Sequence, residues 1–314
     1  MRDEAGRFVY APVDEAARFV ALVRPGKPMS PLPYEPVVRL ACFMGVLFLM
    51  AGWELMAPRR RPTMPRPVRW FSNLGLVVLD NLAVRLLVPA GAVGAAVLAE
   101  ERGWGLLHNL PLPGWLAVVL TVVALDFVIY LQHVLFHAVP LLWRLHMVHH
   151  ADLDFDVTTG VRFHTLEILL SLGIKLATVV LLGAPAVAVL IFEVLLNATS
   201  MFNHGNVRLP TGIDRLLRLV VVTPEMHRVH HSVHARETNS NFGFNLPWWD
   251  YLFGTYKPQP ADGHEGMTIG LEHFRDERKV ERLHWMLLLP FVGRVGDYPV
   301  NRRGPDLPAD HLKR

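Results

Sequence analysis

Three clusters of histidine carry the clearest chemical signal in the sequence. They read His133-Val-Leu-Phe-His137, His146-Met-Val-His149-His150 and His227-Arg-Val-His230-His231. Residues three and four apart project from the same face of a helix, so each cluster is expected to direct two or three imidazoles at a common point. Imidazole binds iron, zinc, copper and nickel, and eight imidazoles exceed the three or four ligands that one ion requires. The pattern therefore predicts two metal ions.

A polar stripe extends the first cluster back along its helix. Asp126, Tyr130, His133 and His137 fall at positions i, i+4, i+7 and i+11 and share one helical face. Asp126 is predicted either to accept a hydrogen bond from an imidazole and fix its tautomer, or to be held by water at a membrane interface.

A second stripe repeats that spacing and ends on another histidine. It consists of Glu193, Asn197, Ser200 and His204. The repeat predicts His204 as a ninth metal ligand. Glu193 lies in an apolar segment, where a carboxylate either serves function or pairs with Lys175 in helix packing, and packing is the favoured interpretation.

Local sequence also bears on two further histidines and on the third cluster. His164, in Arg162-Phe-His164-Thr-Leu-Glu167, is either a tenth ligand or a hydrogen-bond partner of Glu167. Thr223 and Pro224 predict a helix that starts just before His227. His234 breaks the spacing of the third cluster. No role is assigned to the histidines without a patterned neighbour, which are His108, His264, His273, His284 and His311.

Charged residues make up only 19% of the chain, and long apolar runs alternate with Arg- and His-rich stretches. Runs long enough to enter a membrane are predicted at 36–56, 74–98, 115–131, 166–182 and 185–199. The last two are short and are expected to form a hairpin that crosses fully or in part. Trp285–Val292 is too short to span. The sequence predicts an all-α polytopic membrane bundle of four to five segments, with a histidine-rich helical cap after residue 204.

Charge distribution predicts how the bundle is oriented. The densest positive cluster is Pro58-Arg59-Arg60-Arg61, to which Arg66 and Arg69 add. Basic loops favour the cytoplasm, so this loop, the cap and all histidine clusters are predicted to face it. Basic residues before residue 35 leave the opposite orientation open. An Ala-, Val- and Arg-rich composition favours a bacterial inner membrane. A net charge of +3 is only a weak indication of nucleic-acid binding, and no nucleic-acid partner is predicted.

One cysteine, Cys42, excludes an intrachain disulfide and any iron–sulfur cluster held by cysteines of this chain. The sequence also has no flavin or nicotinamide fingerprint. Any oxidation carried out by this chain is therefore predicted to take its electrons from a separate partner.

The motifs resemble those of the fatty acid hydroxylase superfamily, in particular the sterol desaturase family. The HxxxH, HxxHH and later HxxHH boxes all match. So do Arg162, His164 and Glu167, the Asn203-His204-x-Asn206 element, and a C-terminal run from Asn241-Phe242-Gly243 to Trp249-Asp250-Tyr251-Leu252-Phe253-Gly254-Thr255, in which Phe242 replaces the family's tyrosine. The resemblance covers residues 115–257. The chain is accordingly divided into an N-terminal segment 1–35, a membrane hairpin 36–112, a catalytic domain 113–257 and a cytoplasmic tail 258–314.

The resemblance implies an enzyme with two irons, for which zinc could substitute, and with O₂ as co-substrate. It would hydroxylate or desaturate a sterol, fatty acyl or related membrane lipid, using electrons from a ferredoxin, cytochrome or reductase. The predicted ligands are His133, His137, His146, His149, His150, His164, His204, His227, His230 and His231. The residues predicted to hold them in place are Asp126, Glu167, Asn203 and Asp250. No other catalytic residue is predicted. Arg144, Arg228 and Arg236 are candidates for docking an acidic electron donor, for setting the orientation in the membrane or for binding lipid headgroups.

Two other functions use the same residues. A zinc-dependent membrane hydrolase needs only three protein ligands and one open position, so the surplus of histidines disfavours it. A metal transporter should bind its ion near the bilayer midplane, whereas these clusters are predicted at one membrane face. A non-catalytic metal-binding protein remains as a further alternative.

Overall fold

The computed structural model describes residues 32, 34–292 and 296–300. The N-terminal segment 1–35 lies almost entirely outside these residues, as does His311. Within them the chain is helical, and the only β-pairing is two isolated bridges, Pro58 with Val207 and Ser232 with Ile269.

Seven helices make up the first two thirds of the described chain. They are α1 Glu35–Met56, α2 Arg66–Leu87, α3 Gly91–Arg102, α4 Gly114–Ala138, α5 Pro140–His150, α6 Thr165–Leu182 and α7 Ala186–Asn203. Five segments are long and apolar enough to cross a membrane, namely α1, α2 with α3, α4, α6 and α7. The predicted all-helical membrane bundle is thereby confirmed for the described residues, and both short segments reach the required length at 18 residues each.

The second membrane segment differs from its prediction. We expected one span at 74–98, but α2 begins at Arg66 and ends at Leu87, and α3 follows after a break. Pro89 disfavours helical backbone at the residue before it, and Val88 is correspondingly non-helical. The small residues Ala92, Ala96 and Ala99 are buried and let α3 pack closely against α6 and α7.

Short helices and turns form the cap. They are α8 Thr211–Leu217, α9 Pro224–His230, α10 Ala235–Thr238, α11 Trp248–Phe253, α12 Gly263–Gly266, α13 Glu277–Val280 and α14 Leu283–Val292, with a 3-10 turn at Thr159–Val161. A second 3-10 turn, Leu107–Asn109, follows α3 at the other end of the bundle. Residues after 258 share a core with the bundle, since Val280, Met286 and Leu289 pack with Trp143 and Met147 of α5. The division of the chain at residue 257 stays a prediction.

The elements that carry the three histidine boxes and His204 meet at one end of the bundle. At the opposite end, the Leu106 N–H donates to the Leu181 carbonyl, so the loop after α3 meets the turn between α6 and α7. Gly183 closes that turn in the left-handed region at φ +65°, where a Cβ would be strained. At the histidine end, Glu54 of α1 accepts hydrogen bonds from the backbone N–H of Val157 and of Asn206. Helix α7 contacts α1, α3, α4 and α9 and so connects the membrane bundle to the cap.

A buried ion network supports the histidine end from behind. Arg69 binds both oxygens of Asp152 at 2.8 and 2.9 Å and an oxygen of Asp156 at 2.7 Å, and its exposed fraction is 1%. Burial acts to raise the pKa of Asp152, but the charges of Arg69 and Arg162 prevail and hold it well below its usual range. Arg162 in turn binds Glu281 at 2.7 Å. These contacts fix the loop that follows α5.

Several arginines of the positive cluster that was used to predict orientation bind other parts of the protein. Arg69 is internal, Arg59 pairs with Glu225, and Arg60 donates to the carbonyls of His264 and Met267. Three of the five arginines of the cluster therefore serve internal contacts, which weakens the argument from charge for a cytoplasmic orientation. The cytoplasmic orientation stays a prediction.

We expect Arg69→Met to destabilise the protein by about 3–5 kcal/mol, because it leaves two carboxylates buried without their counter-charge. Thermal unfolding of the purified protein in detergent measures the loss. Arg61→Ala is the matched control, since Arg61 is exposed and its loss should change stability by about 0.5 kcal/mol or less. Equal unfolding midpoints for the two variants would contradict the assigned role of Arg69.

Candidate metal centre

Nine of the ten predicted histidines converge in two groups at the cap end of the bundle. The five-histidine group consists of His133, His137, His146, His150 and His230, and the four-histidine group consists of His149, His204, His227 and His231. All nine side chains are buried, and within each group the candidate ligand atoms lie within 4.8 Å of one another. Each of the two adjacent groups of imidazole nitrogens could hold a metal ion.

Each HxxHH box is divided between the two groups, which corrects the expectation that a box serves one common point. His146 and His150 join the five-histidine group, whereas His149 joins the four-histidine group. In the third box the assignment is reversed. His227 and His231 join the four-histidine group, whereas His230 joins the five-histidine group. Adjacent residues on a helix point about 100° apart, so a histidine doublet directs its two rings at two different points.

The elements that carry these residues are held by local sequence. Helix α5 begins at Pro140, whose missing N–H is harmless at a helix start. The predicted start of the helix before His227 is also found. The Thr223 hydroxyl caps α9 by accepting a hydrogen bond from the Met226 N–H at 3.2 Å, and Pro224 is its first residue.

Backbone carbonyls set the tautomer of three rings. The Nδ1–H groups of His133, His204 and His230 donate to the carbonyls of Phe242, Ser200 and Ser240, each at 2.7 Å. A carbonyl only accepts, so the ring proton must lie on Nδ1. The Nε2 atom of each ring therefore carries a lone pair directed into the site.

Two more rings follow the same rule. His146 Nδ1 lies 2.6 Å from Glu167 Oε1, and His149 Nδ1 lies 3.3 Å from the Arg162 carbonyl. The predicted supporting role of Glu167 thus has a direct contact. A carboxylate on the far nitrogen of a ligating ring orients that ring and makes it a better donor.

The nitrogen atoms left inside the site fit metal ions. Nε2 of His133 lies 3.1 Å from Nε2 of His146, and Nε2 of His204 lies 3.1 Å from the corresponding atoms of His149, His227 and His231. Two nitrogens bound at right angles to one ion at about 2.1 Å would lie about 3 Å apart. Nε2 of His137, His150 and His230 is buried with no hydrogen-bond partner among the described residues.

Burial keeps the imidazoles in their metal-binding form. It lowers the pKa of His146 to about 3. Burial and the neighbouring imidazoles also lower, well below the usual value, the pKa of His149, His150, His227, His230 and His231. These rings are neutral at pH 7, and neutral imidazole is the form that donates a lone pair.

His164 belongs to neither group. Its Nδ1 accepts a hydrogen bond from the Leu166 N–H, which caps α6, and its Nε2 lies 3.2 Å from the Leu287 carbonyl. Both ring nitrogens thus have hydrogen-bond partners within the protein, so we leave His164 out of the proposed ligand set. Glu167 binds His146 and not His164.

The other predicted supporting residues act on the loop 239–255. Asp126 accepts from the N–H groups of Asn245 and Leu246 at 3.3 Å and from the Trp249 ring at 2.8 Å, so it contacts no imidazole, contrary to the first of its two predicted roles. Asp250 accepts from the Phe242 and Gly243 N–H groups at 2.8 Å and thereby positions the carbonyl that binds His133. Asn203 donates to the Phe244 carbonyl at 3.0 Å.

The second polar stripe is not continuous. Ser200 and His204 are buried at the site, but Asn197 is exposed and donates to the Glu193 carbonyl. Glu193 pairs with Lys175, as the packing interpretation predicted, and also with Arg39 of α1. It has no contact with the histidines.

Phe163 and Phe244 separate the histidines from the membrane part of the bundle. The Phe163 ring stacks on His149 at 4.5 Å, and the Phe244 ring lies 5.3 Å from His133. Both also pack with Leu125, Ile129 and Phe192 in the core of the bundle. The sequence offered no signal for them, since isolated phenylalanines are ordinary in apolar segments. They place apolar rings between these histidines and the core of the bundle.

We expect His146→Ala and His227→Ala each to lower bound metal from about two ions per chain to about one or fewer, because each change removes a ligand from a different group. Metal analysis after loading with Fe(II) without oxygen measures this. His164→Ala should keep the full metal content while losing about 1 kcal/mol of stability as a helix cap. Metal loss in His164→Ala equal to that in His146→Ala would restore it as a ligand.

Glu167→Gln should weaken metal binding by about 10- to 100-fold, because the His146 ring loses its carboxylate partner. Competition with a coloured chelator gives the dissociation constant. The unfolding midpoint of the metal-free variant serves as the control for folding. An unchanged affinity in a folded variant would show that Glu167 does not tune the ligand.

Comparison with known proteins agrees with this geometry. Residues 118–255, which include all nine converging histidines, match the family model for fatty acid hydroxylase. An ornithine lipid hydroxylase of Rhizobium tropici is 29% identical over 72% of this chain and 70% of its own length.

Two human proteins are also similar. Alkylglycerol monooxygenase is 27% identical over 63% of this chain, and cholesterol 25-hydroxylase is 29% identical over 42%. The chain spans 44% and 48%, respectively, of these two proteins. No solved structure matches the chain. The boxes, the helical bundle and these relatives agree in identifying a fatty acid hydroxylase domain at residues 118–255.

Proposed function

We propose that this protein is a membrane-bound non-haem di-iron oxygenase that hydroxylates a C–H bond of a membrane lipid. The observation that carries the proposal is the pair of buried groups of five and four imidazoles, adjacent to one another and approached through an apolar wall. The relatives are hydroxylases and a monooxygenase by name, which favours hydroxylation over desaturation.

The chain's own residues provide ligands, orientation and exclusion of water. When bound, two irons supply the activation of O₂ that an unreactive C–H bond requires. The nine imidazoles would hold the ions. In five of them, His133, His146, His149, His204 and His230, backbone carbonyls or Glu167 keep the proton on Nδ1 and leave Nε2 free to bind. Phe163 and Phe244 keep water from the membrane-facing side and leave an apolar surface for the carbon that reacts.

The substrate is proposed to be an acyl lipid with a polar headgroup. Similarity to an ornithine lipid hydroxylase over 72% of the chain supports this class. The histidines lie at the end of the bundle, so a lipid could keep its headgroup at the membrane surface while its chain reaches Phe163 and Phe244. We further propose a bacterial inner membrane with the site on the cytoplasmic face, where reductants are available.

Electrons are proposed to come from a separate ferredoxin, cytochrome or reductase, because one cysteine cannot build an iron–sulfur cluster. The predicted docking surface needs a correction. Arg228 is fully buried and binds Glu225 and the carbonyls of Gly205 and Val207, so it cannot meet a partner. Arg236 is exposed and Arg144 is partly so, and both stay in the proposal.

The rival functions fit the geometry less well. A hydrolytic zinc site keeps three protein ligands and an open position, whereas these groups offer five and four nitrogens. A transport site would lie near the middle of the spans. Here His133 and His137 lie in the last two turns of α4 and His204 directly follows α7.

The test is lipid-dependent oxygen consumption. The purified protein is loaded anaerobically with Fe(II), mixed with a reduced ferredoxin and its reductase and a bacterial lipid extract, and exposed to O₂. We expect O₂ uptake that requires lipid, together with lipids that have gained one oxygen atom by mass spectrometry. His227→Ala, assayed in parallel, should abolish both signals.

Two outcomes would overturn the proposal. The first is an iron-loaded sample, with its metal content verified, that consumes no O₂ in any lipid extract. The second is the release of fatty acids or headgroups by a zinc-loaded sample, since that result would establish the hydrolase instead.

A further inference from the structure

A groove at the cap end lies between the start of α2 and the start of α14. Its volume is about 490 Å³. Val68, Phe71 and Leu283 form apolar walls, and Arg282 and His284 complete the lining with Pro67 and Ser72. The Leu283 N–H donates to the Ser72 hydroxyl at 3.1 Å, which joins the two helices at this point. No carboxylate lines the groove.

One wall of the groove continues the lipid-facing surface of a membrane segment. Along α2, exposed apolar residues recur at helical spacing as Val68, Phe71, Val78, Leu82 and Leu86. Phe71 is 75% exposed and Leu86 is 72% exposed. In a helix that crosses a membrane, such a face contacts acyl chains along its whole length. The groove lies at the end of this face that is nearest the cap, where Val68 and Phe71 line it.

The other wall belongs to an apolar helix that is too short to span. Helix α14 has 10 residues and buries Met286, Leu289 and Pro290 against the cap. Its opposite side exposes Leu288, Phe291 and Val292. Leu283 packs over Gly75 of α2, where an added Cβ would lie 2.9 Å from its Cδ2. The exposed face of α14 is therefore continuous with the lipid-facing surface of α2 and belongs at the membrane boundary.

Two polar side chains flank Leu283 at the groove. Arg282 and His284 are both exposed. Neither has a side-chain hydrogen bond or ion pair within the part of the chain that the structure describes. A guanidinium above an apolar groove, at the level where a membrane segment meets the cap, complements an anionic group attached to an acyl chain.

We propose that this groove binds an anionic phospholipid, with Arg282 and His284 at the headgroup phosphate and Val68, Phe71 and Leu283 against its acyl chains. The ligand is a lipid and not a free phosphate, because the walls of the groove are apolar and open onto the lipid-facing surface. The site is separate from the histidine groups, and the proposal does not depend on which lipid is oxidised.

The test is lipid retention by the intact protein. The protein is reconstituted in vesicles of equal phosphatidylglycerol and phosphatidylcholine, extracted in mild detergent and analysed for bound lipid by mass spectrometry. We expect phosphatidylglycerol to be retained in excess. Arg282→Ala should lower that excess about fivefold, the factor that corresponds to one arginine near a membrane surface. The matched control is Arg278→Ala, since Arg278 is exposed on α13 of the same cap but lies outside the groove.

A second variant and a soluble competitor distinguish a bound phospholipid from a bound free phosphate. Phe71→Ser should also lower retention, while glycerol phosphate at millimolar concentration should displace no lipid. Equal losses in Arg282→Ala and Arg278→Ala would show general surface charge and overturn the proposal. Displacement by glycerol phosphate would likewise overturn it in favour of a free-phosphate site. Bound metal is measured on the same samples, so a failure here is distinguishable from a failure of the di-iron proposal.

Discussion

Imidazole lone pairs that face one another inside the protein are the constraint on which the rest of this structure depends. Nε2 of His133 and of His146 lie 3.1 Å apart, and the proton of each ring lies on its Nδ1. Two such lone pairs repel each other unless a cation lies between them. The fold must therefore hold nine buried rings in place until metal arrives. The membrane-spanning helices and the backbone carbonyls that accept from the rings hold them in place, because neither can move far from its position in the fold.

The loop 239–255 is the part of the cap on which this arrangement most depends. It provides the carbonyls that bind His133 and His230. Helix α4 supports it from below, through Asp126 and through the Tyr130 hydroxyl, which lies 3.1 Å from the Thr255 hydroxyl. Asn241 adopts φ 52°, and its amide donates to the carbonyls of Met226 and Lys257, which offsets the cost of the left-handed backbone. The polar stripe of α4 thus carries two histidines of the five-histidine group and also anchors the segment whose carbonyls bind His133 and His230.

Local periodicity explains what could be predicted from the sequence. Membrane helices, the capped start of α9 and the face shared by His133 and His137 all follow from residues within one or two turns. Long-range partners could not be predicted. His164 resembled a ligand until the Leu287 carbonyl, more than a hundred residues away, was found at one of its nitrogens. Arg69 resembled a loop charge because the carboxylates that bury it come from residues 152 and 156. The opposite assignments within each HxxHH box depend on how two helices face each other, which spacing alone leaves open.

The division of the histidine doublets links the two histidine groups mechanically. His149 and His150 are neighbours on α5 but belong to different groups, and so are His230 and His231 at the end of α9. An ion in one group restrains both helices and thereby orders half of the ligands of the other group. The first ion thus removes part of the entropic cost of binding the second, which is positive cooperativity without any change of fold. A protein built this way tends to be either empty or fully loaded. We therefore expect the half-loaded state to be the least populated of the three.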